Sequence, residues 1–236
     1  MRTRRIVGLL GVTLGVGLLG AGCHSAQHRS AQEGRTLSPS DALTVAAIQG
    51  NDAAVQKLLA AGGDPNAMSS EQQPVLIAAA LNVRHSGDVV EDLLTHGARA
   101  DTAADGISAL TYALMNDNPS GAQSLLAHGA QADAEDKVGM TPLITAAMYG
   151  ETSVVQALLR KGARVDHRDK TGSTALAYAA YRGQAQAVKV LLAAGADPAL
   201  RDAKGRTALD KATERHYFGI VALLKSAPVG KNRGER

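Results

Sequence analysis

Glycine recurs at positions 106, 139, 172 and 205, each 33 residues from the last, and that period constrains the fold more than any other feature of the chain. Three residues separate each of these glycines from a leucine: Leu110, Leu143, Leu176 and Leu209. A Leu-Leu pair follows at a distance of 15 residues in three copies (Leu125-Leu126, Leu158-Leu159, Leu191-Leu192) and 14 in the last (Leu223-Leu224). Further glycines close most copies, at 62, 97, 129, 162 and 195. Self-similarity at such a period is the signature of stacked supersecondary units, none of which can bury its apolar face alone. Two more copies lie upstream, around Leu43 with Leu58-Leu59 and around Leu76 with Leu93-Leu94, giving six units over 39–227. Only 3% of residues are aromatic, and there is no Trp. Thin stacked repeats filled with Ala and Leu need few large rings.

The residue types suit a helix-turn-helix unit. Thr141 can cap a first helix and Pro142 fits its first turn, where no amide hydrogen is required. Ala146-Ala147 are small enough for close stacking between units. Val155, Leu158 and Leu159 share one face of a second helix. Gly162 suits the left-handed residue that ends it. The polar segment from there to Gly172 forms a loop. The fourth unit, Asp136-Lys-Val-Gly-Met-Thr-Pro-Leu143 followed by Ala146-Ala147, Gly150, Val154-Val155, Leu158-Leu159 and Gly162-Ala163, resembles the ankyrin repeat. The resemblance implies an all-α ankyrin-repeat solenoid of about six helix-turn-helix units with hairpin-like finger loops. The units fall at about 39–66, 67–101, 102–134, 135–167, 168–200 and 201–227. The usual His after the leucine is replaced by Ile144, Ala177 and Asp210. The second unit carries two extra residues around Asn82 to Asp88, which predicts a longer inter-helix turn, and its finger has Pro74 and Val75 where Thr and Pro are expected.

The ends of the chain read differently. Arg2, Arg4 and Arg5, an uncharged apolar stretch from Ile6 to Leu19, and Gly20-Ala21-Gly22 make residues 1–22 a signal peptide. Cys23, the single cysteine, follows directly, and the junction resembles a bacterial lipobox. That resemblance implies lipidation at Cys23, with Gly20 standing where the family prefers Leu; a plain cleaved signal is the alternative. Lipidation would give a membrane contact through the N-terminal lipid, and His24 after the cysteine favours an outer-membrane destination. Residues 23–38 read as a flexible tether, with a mean span of roughly 20 Å, and 228–236 as a disordered basic tail. Without residues 1–22 the remaining chain has 22 basic and 22 acidic residues, so the basic pI of the whole chain gives no case for nucleic acid.

No catalytic constellation, metal site or cofactor motif stands out. His96 and His128 precede helix-ending glycines, and Asp136, Asp169 and Asp202 sit at finger bases as turn formers. His24 and His28 are four apart on the tether, a weak pattern for a metal. The chain therefore reads as non-enzymatic.

In the ankyrin family the concave face is built from fingers and first helices, so the exposed positions after each small-residue step are the candidate contacts. These are Leu81 and Asn82, Met115 and Asn116, Met148 and Tyr149, Tyr181 and Arg182, and Glu214 and Arg215. Met115, Met148, Tyr149, Tyr181 and Arg182 are of types enriched in interface hot spots. Lys137, Lys170, Lys204 and Arg206 on the C-terminal fingers complete the candidate set, while Tyr112 and Tyr178 read as core. Charge is segregated: residues 24–134 hold five basic and 12 acidic residues, net −7, and residues 135–236 hold 17 and 10, net +7. A bipolar surface suits an oriented protein partner. The expected function is a non-catalytic protein-binding scaffold in the bacterial envelope, facing the periplasm and monomeric apart from its partner. It would serve as an immunity or inhibitor protein or as a helper of a periplasmic enzyme. The alternative is a structural lipoprotein binding cell-wall or anionic surface polymer.

Overall fold

A computed structural model describes residues 37–82 and 86–227, with the backbone alone at 86–88. The signal peptide, Cys23, the tether up to residue 36 and the tail at 228–236 lie outside the described residues, as do positions 83–85 of the expected longer turn.

Twelve helices are present among the described residues, in six pairs. They are α1 (Pro39–Gln49) and α2 (Asp52–Ala60), α3 (Val75–Ala80) and α4 (Ser86–Thr95), α5 (Ala109–Met115) and α6 (Pro119–Ala127). The remaining pairs are α7 (Pro142–Tyr149) and α8 (Thr152–Arg160), α9 (Ala175–Arg182) and α10 (Ala185–Ala193), and α11 (Ala208–Glu214) and α12 (Phe218–Ser226). First helices pack on first helices and second helices on second helices along the series, so the protein is a two-layered all-α ankyrin-repeat solenoid. None of these helices is long and apolar enough to cross a membrane.

The start of the first helices of units 3 to 6 follows from their capping residues. Ser108, Thr141, Thr174 and Thr207 each accept the amide three residues on, and Thr207 with Asp210 forms a reciprocal capping box. Each such cap contributes about 1 kcal/mol. Pro74 at the head of α3 makes no side-chain cap. The second helices of units 4 and 5 end in an ordinary last turn, after which Gly162 and Gly195 take positive φ.

The core is a seam of small and branched residues between the layers. Ala79, Ala80, Ala146, Ala147, Ala179 and Ala180 are wholly buried, which lets neighbouring first helices approach closely. In α8 the buried face is Val154, Val155 and Leu158, while Leu159 is only half-buried, so the apolar stripe is rotated towards Val154 from the expected one.

Each finger of units 4 to 6 is a tight hairpin-like turn. The Asp136, Asp169 and Asp202 amides donate to the carbonyls of Met140, Ser173 and Arg206, at 3.0, 3.1 and 2.9 Å. Adjacent fingers are also joined: Lys170 N donates to the Val138 carbonyl (3.1 Å) and Ala203 N to the Thr171 carbonyl (2.8 Å). The finger of unit 3 has a short antiparallel ladder, β1 (Ala103–Ala104) with β2 (Ile107–Ser108), pairing Ala103 with Ser108 and Ala104 with Ile107. The fingers and the ends of the first helices thus form one continuous face.

Candidate protein-binding surface

Left-handed glycines terminate the first helices of units 4 and 5 and fix what the last turn displays. Gly150 and Gly183, at φ 79° and 78°, return their amides to carbonyls in the preceding turn. Met148 and Tyr149, and Tyr181 and Arg182, are thereby placed at the rim of the face. Met115, Met148, Tyr149 and Tyr181 are half-buried, Arg182 is exposed, and the finger residues Lys137, Lys170 and Lys204 are exposed with Arg206 half-buried.

Three of these candidates converge. A cleft of about 410 Å³ between the fingers of units 5 and 6 is lined by Tyr181, Lys204 and Arg206, together with Thr171, Ser173, Tyr178, Asp202, Ala203 and Lys211. The others stand elsewhere on the face. The Lys137 stem lies over Gly106 of the preceding finger, where an added Cβ would come within 3.1 Å of its Cε. That contact gives Lys137 a packing role.

Beneath the cleft runs a polar network. Asp202 Oδ1 accepts the Lys204 and Arg206 amides, both at 2.9 Å, which closes the finger turn. Its Oδ2 accepts Arg206 Nε and Nη2 at 3.2 and 3.0 Å and pairs with Lys211 Nζ at 3.1 Å. The Lys211 and Asp202 side chains are only 6% and 4% exposed, so neither is neutralised by water. Burial works to raise the Asp202 carboxyl. The Arg206 amide, the Lys211 ammonium and the Arg206 guanidinium outweigh it and hold the group far below the usual carboxylate range. Lys211 Nζ also donates to Ser173 Oγ at 2.9 Å, and it lies 5.6 Å from the centre of the Tyr178 ring. Tyr178 in turn donates to Asp169 Oδ2 at 2.8 Å. Burial, followed by that hydrogen bond and the Asp169 charge, pushes its phenol up to about 12. At the outer edge Arg215 stacks over Tyr181, 5.0 Å from its centroid, and Arg206 Nη1 meets Glu214 Oε2 at 3.2 Å.

Two expectations are corrected. Asn82 is buried, because its amide donates 2.7 Å to the Ile48 carbonyl and satisfies the end of the previous first helix. Asn118 and Gln184 reach back in the same way, to Ala80 and Met148, at 3.4 Å each. Tyr178 is only half-buried and lines the cleft, whereas Tyr112 is core. The contribution of Lys211 was missed. It stands where other units carry Tyr112, Thr145 or Tyr178, and a lysine in that inward slot is the signal that could have found it. The finger-base Asp residues do act as turn formers. His96 Nδ1 contacts the Asp92 carbonyl at 2.8 Å, and His128 Nε2 lies 3.0 Å from Glu91 of the preceding unit, both structural contacts.

A two-layered stack of capped helix pairs with Asp-closed fingers defines a repeat scaffold. The family model described as "Ankyrin repeats (3 copies)" matches residues 43–136, 75–169, 120–202 and 165–233, and the chain belongs to that family. Ankyrin repeats mediate protein–protein interaction, and ankyrin-repeat proteins are generally non-catalytic scaffolds. Part of the chain is also similar to the mitochondrial disaggregase of Bos taurus, 37% identical over 105 residues, 43% of this chain. The match takes in 15% of that protein's length.

Proposed function

We propose that this chain is a non-catalytic protein-binding scaffold held in the bacterial cell envelope by lipid on Cys23. It acts there as an immunity or inhibitor protein or as the helper of a periplasmic enzyme. The observation that carries the binding role is the continuous face of fingers and first helices, on which Tyr149 and Tyr181 stand half-buried in a chain with five tyrosines and one phenylalanine. Rings of this kind supply large contact area at low entropic cost. The basic n-region, the apolar stretch and the Gly-Ala-Gly-Cys junction support export and anchoring.

Affinity capture from native envelope extract tests this function, with the 24–236 protein as bait and the Tyr149→Ala/Tyr181→Ala variant beside it. One protein recovered in near-equal amount and lost with the double variant is the expected result. Recovery of no specific protein, with salt-sensitive retention on cell-wall polymer instead, would favour the surface-polymer lipoprotein, for which the net charge of +7 over residues 135–236 is the supporting observation. Metabolic labelling with a fatty acid, abolished by Cys23→Ser, tests the anchor.

A further inference from the structure

The cleft between the fingers of units 5 and 6 holds more positive charge than its own contacts consume. Lys204, Arg206 and Lys211 line it against one carboxylate, Asp202. Both Asp202 oxygens are filled by donors from its own finger and by the buried Lys211, so its charge is spent within the fold and offers no anion to the opening. Lys204 Nζ meets no carboxylate among the described residues. Arg215 has its guanidinium over Tyr181 and no ion-pair partner among the described residues. Arg206 does meet one exposed carboxylate, that of Glu214, at 3.2 Å. That contact displays how a side-chain carboxylate from outside the finger sits against this cleft.

Resting on the binding role proposed for this face, we infer that the cleft is a carboxylate-recognising subsite for an acidic protein segment. Asp or Glu side chains of the segment engage Lys204, Arg206 and Arg215, and its aliphatic parts lie on the Tyr181 ring. Guanidinium groups suit planar carboxylates, which they can meet with paired hydrogen bonds. The cations share the cleft with the Tyr178 and Tyr181 rings and the Thr171 and Ser173 hydroxyls, an arrangement matched to side chains of mixed character rather than to a uniform run of phosphates. Charge complementarity also fixes the register. The half of the chain from 24 to 134, at net −7, repels an acidic segment, while the half from 135 to 236, at net +7, attracts it.

Fluorescence anisotropy on the 24–236 protein tests the subsite, because its probe is independent of any captured partner. The probe is a labelled dodecapeptide alternating Glu and Asp with Ala and Leu, compared with its Gln/Asn isostere and with polyphosphate of equal charge. At about 50 mM salt, where screening is modest, the acidic peptide binds and the isostere binds at least about tenfold more weakly. Lys204→Glu/Arg215→Glu, which leaves the Asp202–Lys211 network intact, weakens binding by about tenfold or more with an unchanged melting temperature. Glu214→Gln has the opposite sign: it releases Arg206 and tightens binding by about threefold. Equal binding of the isostere, wild-type binding by the double charge reversal, or no gain with Glu214→Gln overturns the inference. So does polyphosphate that outcompetes the peptide. The scaffold role is judged separately: a captured partner that is lost with Tyr149→Ala but indifferent to Lys204→Glu/Arg215→Glu sustains it and removes the acidic subsite. Acidic-peptide binding with the expected variant pattern, but no partner captured, sustains the subsite and removes the scaffold role.

Discussion

The fingers of units 5 and 6 and the finger of unit 2 make the same turn from different residues. In unit 5 the turn is closed by Asp169, whose Oδ1 accepts the Thr171 and Ser173 amides at 2.9 and 2.8 Å, with Gly172 at φ 76°. In unit 2 the same places are held by Ser69 and Gln72. Ser69 Oγ accepts the Glu71 and Gln73 amides at 3.3 and 3.2 Å, and Gln72 is forced to φ 61°. The backbone geometry is therefore a property of the repeat, and the side chains decide how firmly it is held. An ionised acceptor makes shorter bonds than a hydroxyl, and glycine enters the left-handed region without strain. The difference extends to neighbours. Fingers 4, 5 and 6 are tied in series by backbone hydrogen bonds and by Arg168 Nη2 donating to the Arg201 carbonyl at 2.7 Å. The fingers are thus cross-linked to one another in the half that carries the cleft.

Breaking the strong end should have the largest effect. Asp202→Asn leaves the Lys211 ammonium buried without its carboxylate and costs about 3 kcal/mol in urea unfolding. Ser69→Ala in the weak finger costs about 1 kcal/mol. The pH dependence of the same measurement carries a definite sign. Asp202 is depressed in the fold, so its contribution is fully present above the unfolded value of about 4 and is lost as pH falls below it. The Asn variant lacks that increment.

Glycine sharpens the comparison next. Alanine at 172 would sit at positive φ and place its Cβ 3.2 Å from the Ala203 amide nitrogen, at the bond between fingers. Gly172→Ala should cost about 2 kcal/mol by thermal melting. Tyr178 follows. Its hydroxyl is bonded to Asp169, so Tyr178→Phe costs about 1 kcal/mol, whereas Tyr112→Phe, with no carboxylate bond to lose among the described residues, changes stability by less than about 0.5 kcal/mol. In an ultraviolet titration the Tyr178 phenol should titrate near 12. Because its folded value is raised, the stability it contributes is complete below about pH 10 and is lost as pH rises through the folded value. The smallest effect has the opposite sign. Gln72→Gly relieves the strained turn of unit 2 and should stabilise by about 0.5 kcal/mol, the released strain slightly exceeding the added chain entropy.

The fold was legible because its determinants are local and periodic. Gly139, Gly172 and Gly205 mark left-handed turn positions, Thr141 and Pro142 mark a helix start, and the Ala-Ala steps mark close packing. The candidate surface was legible where it depends on a residue's place within one unit, as for Tyr181, Lys204 and Arg206. It failed where contacts cross between units. Asn82 follows the small-residue step as Tyr149 and Tyr181 do, but its amide finds carbonyls one repeat back. Lys211 lies within a helix, and only the arrival of Ser173 from the preceding finger makes it part of the cleft. Tyr178 reads as core because it sits just before the Ala179-Ala180 step, on the packed side of its helix. The ring instead leans between finger and helix, with its hydroxyl on Asp169.

The most direct test of the central claim, that this chain binds a protein through the face of fingers and first helices, is calorimetric titration of the captured partner into wild type and into Tyr149→Ala/Tyr181→Ala. A loss of more than about 1 kcal/mol in binding free energy, with both proteins equally folded, is the expected result. An unchanged affinity in the double variant would contradict it and move the binding surface elsewhere on the solenoid.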